Sequence, residues 1–326
     1  MLQSGQYPDF YKRAQITPLP KVSHPKLYKD FRPVSLLFHI GKLCEQVIVN
    51  KLKSSVQTAI SSSQFAYRPK LGTTDAILQL IDDCTADLDD PDNKYVQMAC
   101  LDFSKAFDKL QPNIVLDKMR KCGINESLLD ILCSFLERRK QCVRVNSCFS
   151  KYIDISVGAP QGTKLGPLLW LFYVNDLEVQ GFNTVKYADD TTFYKSFGKH
   201  TGTTAPAILN TIEWAQQNRM LLNADKTVIL NLMFSNRHTF DEPIFVDDNL
   251  SIEPSLSVKF LGTHIDNLMT FSEHVDHIIS SCNSRLYLLR QLKILGMNTD
   301  GLKRYFCANI RSLISYASPA WFFYAL

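Results

Sequence analysis

No run of apolar residues in this chain reaches the roughly 18 that a membrane-spanning helix needs, so no span is expected and no membrane partner. No secretory leader opens it either. Met1-Leu2-Gln3-Ser4-Gly5-Gln6-Tyr7 lacks the basic-then-apolar pattern, and an intracellular protein is expected, nuclear or cytoplasmic and not secreted. No Cys-x-x-Cys pair occurs among the nine cysteines, and their number is odd. That indicates neither a disulfide framework nor a zinc site, and reduced thiols are expected. No internal repeat is visible, which removes solenoids and propellers.

What remains is an ordinary globular chain. Its 326 residues are 45% hydrophobic and 21% charged, enough for two or three structural units. The net charge is only +4, but it is uneven. Residues 1–60 hold nine Lys and Arg against three acids, so they carry +6 and the rest carries −2. A basic front end suits a polyanion partner, although a solvated basic surface would look the same.

Five prolines within residues 1–35 favour extended strands and turns. Residues 36–58 lack proline and place Ile40, Leu43, Val47 and Ile48 at helical spacing. Thr73, Thr74 and Asp75 read as the start of a helix running to about Leu88. A hydrophobic strand, Tyr95 to Leu101, ends at Asp102. A helix is expected from about Ile114, and a second one carries Leu128, Leu129, Leu132, Phe135 and Leu136. Gln141–Val145 and Tyr152–Val157 read as a strand pair. Gly166-Pro167 opens a helix expected to reach Leu177, with proline in its first turn.

Val185–Tyr187 and Thr191–Tyr194 are β-forming runs separated by Ala188-Asp189-Asp190, the pattern of a tight hairpin with two carboxylates at its tip. A helix through Ile208, Ile212 and Ala215 follows, then a strand at Thr227–Leu230 and one from Val258 to Ile265 with a glycine interruption. Beyond about residue 270 the pattern turns helical. Val275, Ile278, Ile279, Cys282, Leu286 and Leu289 share one face, and Leu302, Phe306, Ile310 and Leu313 share another.

Asp102 ends a strand and Asp189-Asp190 tip a hairpin. If the strands are neighbours, three carboxylates converge and repel. A divalent cation relieves that repulsion, and hard oxygen ligands suit Mg²⁺. Read singly, Asp102 serves equally as a cap for the turn that follows, and the aspartate pair equally as turn formers. Read together, they point towards metal. The Pro160-Gln161-Gly162 loop adds a donor and an acceptor on a flexible backbone, which alone is no more than a turn.

At this point the order of segments resembles the reverse transcriptases of non-LTR (LINE-type) retrotransposons over nearly the whole chain. Phe31–Leu37 looks like the first fingers motif. Gln64–Arg68 with Gly72–Asp75 looks like the second, and Leu101–Asp108 like the motif carrying the first catalytic aspartate. Gly158–Pro167 with Asn175-Asp176-Leu177 resembles the template-contacting motif, and Tyr187-Ala188-Asp189-Asp190 the catalytic hairpin. Leu221–Thr227 and Phe260–Gly262 with Ile265-Asp266 resemble the next palm motif and the primer grip. Residue 159 is Ala where the family more often has Val.

The resemblance implies an α+β fold, a right-hand polymerase palm and fingers (antiparallel sheet with packed helices) plus the start of a helical thumb. The implied division is residues 1–95 as N-terminal extension and fingers, 96–270 as palm with a fingers return at 115–157, and 271–326 as a partial thumb. It further implies two Mg²⁺ ions, with Mn²⁺ as substitute, held by Asp102, Asp189 and Asp190 with help from the Phe103 carbonyl. Lys21, Arg32 and Arg68 would meet the incoming dNTP, and Phe107 would stand where a bulky residue excludes the 2′-hydroxyl. Gln161 would contact the nascent pair, and Lys226 would donate a proton or positive field to pyrophosphate. An RNA template and a DNA primer are the implied partners. The chain reads as truncated, without an N-terminal endonuclease and with an unburied apolar tail from Trp321 to Leu326. The alternatives are a catalytically silent relic that only binds nucleic acid, or a metal-dependent nuclease.

Overall fold

The computed structural model describes residues 4–104, 106–159, 161–198, 202–234, 242–247 and 250–324. Lys105, Pro160 and the last two residues of the expected tail, Ala325 and Leu326, lie outside the described residues. The chain forms two compact units. The first comprises Met1–Tyr67, Phe103–Glu178 and Thr211–Leu222, and the second Arg68–Asp102, Val179–Asn210 and Asn223–Leu326.

In the first unit, the proline-rich front end forms a sheet. Strand Arg13–Pro20 pairs antiparallel with Phe31–Leu36 and parallel with Arg139–Val145, which pairs in turn with Cys148–Phe149 and Ile153–Ile155. The helices include His39–Ala59, Pro112–Lys121, Glu126–Leu136 and Leu165–Tyr173. Leu165–Tyr173 is apolar all round and correspondingly buried, with Leu165, Trp170, Phe172 and Tyr173 all shielded from solvent.

Two expectations need correction in this unit. The buried face of His39–Ala59 is Gly41, Glu45, Ile48, Leu52 and Val56, whereas Ile40, Leu43 and Val47 are exposed. Counting apolar residues selects the wrong stripe because a glutamate occupies the inward face. Its carboxylate Oε2 accepts the Lys164 and Leu165 N–H groups at 2.5 and 3.3 Å, capping helix Leu165–Tyr173. That helix ends at Tyr173 rather than Leu177. Asn175 instead accepts the Ser61 N–H and donates to the Ala59 carbonyl. Asp176 Oδ1 takes Lys118 Nζ at 2.6 Å and the Trp214 indole N–H at 3.0 Å. Side chains committed this way compete with helix continuation.

The second unit is built on a five-stranded sheet in the order Pro254–Ser255, Val228–Leu232, Tyr95–Leu101, Asp190–Phe197, Asn183–Tyr187. Tyr95–Leu101 is the central strand and runs antiparallel to both neighbours. Being buried along its length, it does not alternate apolar with polar, and the Gln97 in its middle is buried with its amide donating to Asn231 Oδ1. Helix Thr73–Asp89 packs on the sheet through Ala76, Ile77, Leu80, Ile81 and Cys84, and Asp83 accepts the Tyr194 hydroxyl at 2.5 Å.

Val258 to Ile265 is not one strand. Ser257–Phe260 and Thr263–Asp266 form an antiparallel hairpin, and Leu261 and Gly262 both have positive φ at its turn. That is the backbone twist a two-residue hairpin loop requires. Asp266 then caps the entry to helix Ser272–Ile294, accepting N–H groups of Leu268, Thr270 and Phe271. Of the expected loose tail, Trp321 alone among the described residues is docked. Helix Ser318–Trp321 packs on Thr73–Asp89, and Ala317, Ala320 and Trp321 are buried. Trp321 Nε1 donates to the Tyr316 carbonyl, while the Tyr316 hydroxyl donates to Leu261 O and accepts from the Thr73 hydroxyl. Phe322, Phe323 and Tyr324 stay exposed, as expected.

Candidate active site

The central strand delivers the first carboxylate. Its last pair with the neighbouring strand is Leu101 with Thr191, so Asp102 is carried one step past the sheet, beside Asp190. On that neighbour, Tyr187 pairs with Asp190, leaving Ala188 and Asp189 as the two-residue turn. Ala188 is held at φ +58°, a left-handed conformation that costs a non-glycine residue about 1 kcal/mol or more. Cys100 pairs with Val228 on the other side. The Ala224–Lys226 turn just before that strand brings up Lys226, whose Nζ lies 3.3 Å from Asp102 Oδ2.

The electrostatics show strain of a useful kind. Burial raises the Asp189 carboxyl above its usual range and the charge of Asp102 adds to this, while its own backbone N–H and Lys226 oppose it. Surrounding protein atoms, then the charges of Asp189 and Asp102, push Asp190 up to about 6, even though part of that residue remains open to solvent. Three carboxylates are therefore crowded at one strand end, with one exposed lysine to balance them. Among the described residues, no group of three His, Cys, Asp or Glu side chains is spaced to hold an ion as it stands. The donor set itself fits a hard divalent cation, because it offers only carboxylate oxygens and carries a repulsion that such an ion removes. A cavity of about 270 Å³ beside Asp102 and Asp190 is lined by Cys100, Thr192, Lys226 and Phe260.

The second unit thus brings together Asp102, Asp189, Asp190 and Lys226; Arg68 is its first residue, half-buried at the start of the loop before Thr73–Asp89. The remaining expected residues belong to the first unit. Phe103 is buried against Trp214 at 5.8 Å between ring centres and bridges to Leu222. Phe107 is half-buried with its ring 5.0 Å from that of Trp170, and its carbonyl accepts the Ala159 N–H. Gln161 donates from Nε2 to Asp108 Oδ1 at 3.0 Å. Both line a cavity of about 340 Å³ with Pro33, Ser35, Gln141 and Gly158. Lys21 and Arg32 are exposed at the same end of the first hairpin, where Leu19 pairs with Arg32 and Lys21 Nζ donates to Lys29 O.

One residue was not singled out from sequence. Asn223 donates its backbone N–H to Asp102 O at 2.8 Å and its side-chain amide to Asp102 Oδ2 at 3.1 Å. The available signal was Asn at the head of an Asn-Ala-Asp-Lys turn.

Residues 19–265 match the family model for reverse transcriptase (RNA-dependent DNA polymerase). The chain belongs to the reverse transcriptase family. It is 30% identical over 294 residues to the RNA-directed DNA polymerase from mobile element jockey of Drosophila melanogaster, covering 85% of this chain and 31% of that one. It is 28% identical over 262 residues to the probable RNA-directed DNA polymerase from transposon X-element of the same species, covering 76% and 28%. The chain therefore spans about a third of the length of these relatives. In fold it is similar to telomerase from Candida tropicalis, in a structure determined with a fragment of telomeric RNA. There the TM-score is 0.56 at 14% identity, over 81% of this chain and 44% of that one. The α+β reverse transcriptase fold and the non-LTR affiliation expected from sequence are thus found, and members of the family use divalent metal ions.

Proposed function

We propose that this chain is an RNA-directed DNA polymerase core that adds dNTPs to a primer 3′-hydroxyl on an RNA template. The observation that carries the reading is the convergence of Asp102, Asp189 and Asp190 at one end of the central strands, with Lys226 Nζ on Asp102. In this reading Asp102, Asp189, Asp190 and the Phe103 carbonyl hold two Mg²⁺ ions. When bound, such ions stabilise both the attacking and the leaving oxygen of an in-line phosphoryl transfer.

The chain's own groups do the rest. Lys226 balances Asp102 at rest and presents an ammonium to the departing pyrophosphate. Lys21 and Arg32, at the open end of one hairpin, supply positive charge for a triphosphate, with Arg68 as an auxiliary. Phe107, backed by Trp170, fills the space a ribose 2′-hydroxyl would need. Gln161 is steadied by Asp108 so that its carbonyl can face the nascent base pair. We assign residues 1–95 to the fingers, 96–270 to the palm with a fingers return at 115–157, and 271–326 to the thumb.

The test is primer extension on an RNA template with purified chain, with and without Mg²⁺. Extension that needs Mg²⁺ and falls by about a thousandfold or more in Asp102→Asn and Asp189→Asn is expected. Template binding without extension under any divalent ion would favour a silent nucleic-acid binder instead.

A further inference from the structure

We propose that Asn223 is a positioning residue that fixes the Asp102 carboxylate and ties it to the turn bearing Lys226. The inference rests on the polymerase reading of the same site.

Asn223 spends its backbone groups and its side-chain amide N–H in one place. Its N–H and its side-chain amide both donate to Asp102, to the backbone carbonyl at 2.8 Å and to Oδ2 at 3.1 Å. Its carbonyl accepts from Lys226 N at 3.2 Å, Thr227 N at 3.0 Å and Thr227 Oγ1 at 3.0 Å. A single residue therefore sets both the carboxylate of Asp102 and the backbone from which Lys226 projects.

The two groups that touch Asp102 Oδ2 are not equal. Lys226 has a side chain 67% exposed, on a flexible stem, and an exposed pair of this kind is worth little and is screened by salt. Asn223 is half-buried and short, and its backbone is pinned on both sides of the amide. The amide is thus the constraint that persists, and it commits Oδ2 while Oδ1 has no partner among the described residues. A carboxylate held by one oxygen presents the other in a fixed direction. Partners that orient a metal-binding group in this way typically change metal affinity about 10- to 100-fold when removed.

The decisive substitutions are Asn223→Ala and Asn223→Leu. Asn223 sits at φ −94°, ψ 93°, which both replacements adopt without strain, and the backbone hydrogen bonds remain. Mn²⁺ binding is measured on the free full-length chain by electron paramagnetic resonance, without nucleotide or nucleic acid, with Asp102→Asn as control. Primer extension with separate kcat and KM for dNTP is measured alongside.

The expected result is Mn²⁺ affinity weakened about tenfold in both variants, kcat lowered by a similar factor, KM for dNTP near that of the unsubstituted chain, and unchanged melting. Asp102-dependent Mn²⁺ binding that is the same in both variants as in the parent would overturn the role of Asn223 and leave the polymerase reading standing. Mn²⁺ binding that ignores Asp102→Asn would overturn the polymerase reading, and the role of Asn223 with it.

Discussion

Replacing Glu45 tests how the fold supports the proposed chemistry, because this buried acid holds the start of the helix that carries Trp170 beneath Phe107. Its residue is only 3% exposed, and burial raises its carboxyl above the usual range despite N–H donors from Lys164 and Leu165 and the charges of Arg139 and Lys42. Glu45→Ala strands the Leu165 N–H in a buried place, since Leu165 has no exposed surface, while the Lys164 N–H is near solvent and can be hydrated. One buried unsatisfied donor costs about 1–3 kcal/mol, and the space left by the side chain adds to it. A loss of about 2–4 kcal/mol is expected, or roughly 5–12 °C in melting temperature for a unit of this size.

Glu45→Gln keeps an acceptor without the charge, so at pH 7 it should be at least as stable as the parent. The direction of the pH dependence follows from the raised carboxyl. The folded chain takes up the proton at higher pH than the unfolded chain, so this group favours the fold below the unfolded value and loses that contribution as pH rises through the folded one. The advantage of Glu45→Gln at pH 7 should therefore shrink near pH 5. Thermal unfolding followed by circular dichroism at both values decides it. An alanine variant within about 1 kcal/mol of the parent, or a glutamine variant whose advantage is the same at both pH values, would refute the argument.

Phe107→Val should raise use of ribonucleotides relative to deoxyribonucleotides by about tenfold or more in primer extension, and an unchanged ratio would leave Phe107 as packing for Trp170 only. His274 is buried and its imidazole is pushed down to about 4 by burial and by the charges of His264 and His277, so it is neutral in the fold. Stability should fall as pH drops from about 6.5 towards 4, by on the order of 2–3 kcal/mol, and His274→Gln should flatten that slope in denaturant titrations. Gly158→Ala would bring a Cβ to 2.8 Å from the Asp108 carbonyl at a φ of +92°, so it should displace the Gln161 loop and raise KM for dNTP more than it lowers melting. Trp321→Ala should cost about 3–5 kcal/mol by emptying the contact with Tyr316 and His274, seen as a lower melting temperature.

The parts of the fold that were legible from sequence are those decided by neighbours along the chain. The strand Tyr95–Leu101 was bounded by its own apolar run and the aspartate that stops it, and the hairpin at Ala188-Asp189 by β-formers on either side of a short polar turn. Helix Thr73–Asp89 was marked by its first turn, where Asp75 accepts the Gly72 N–H. The parts that were misread depend on partners far away in sequence. Glu45 faces inward only because two N–H groups 119 and 120 residues on need an acceptor, and no periodicity in residues 39–59 records that. The end of helix Leu165–Tyr173 is set by Ser61, Lys118 and Trp214, none of them local.

The site divides along the same line, and this explains why Asn223 escaped notice. The three carboxylates announce themselves by residue type and by strand-end context, and the resemblance in motif order supplies the roles proposed for them. Asn223 carries no charge and titrates nothing, and in sequence it is one more turn-forming residue before a strand. Its importance appears only when the sheet register brings Val228 opposite Cys100, because that pairing carries the turn before Val228 alongside the end of the central strand. The same register that aligns Leu101 with Thr191 then places Asp190 on one side of Asp102 and Asn223 on the other. A one-residue slip in either pairing would turn every side chain of that strand to the opposite face. The geometry around Asp102 is thus a consequence of two strand registers, each enforced by the buried faces of the central sheet, and the amide of Asn223 is where the second register reaches the chemistry.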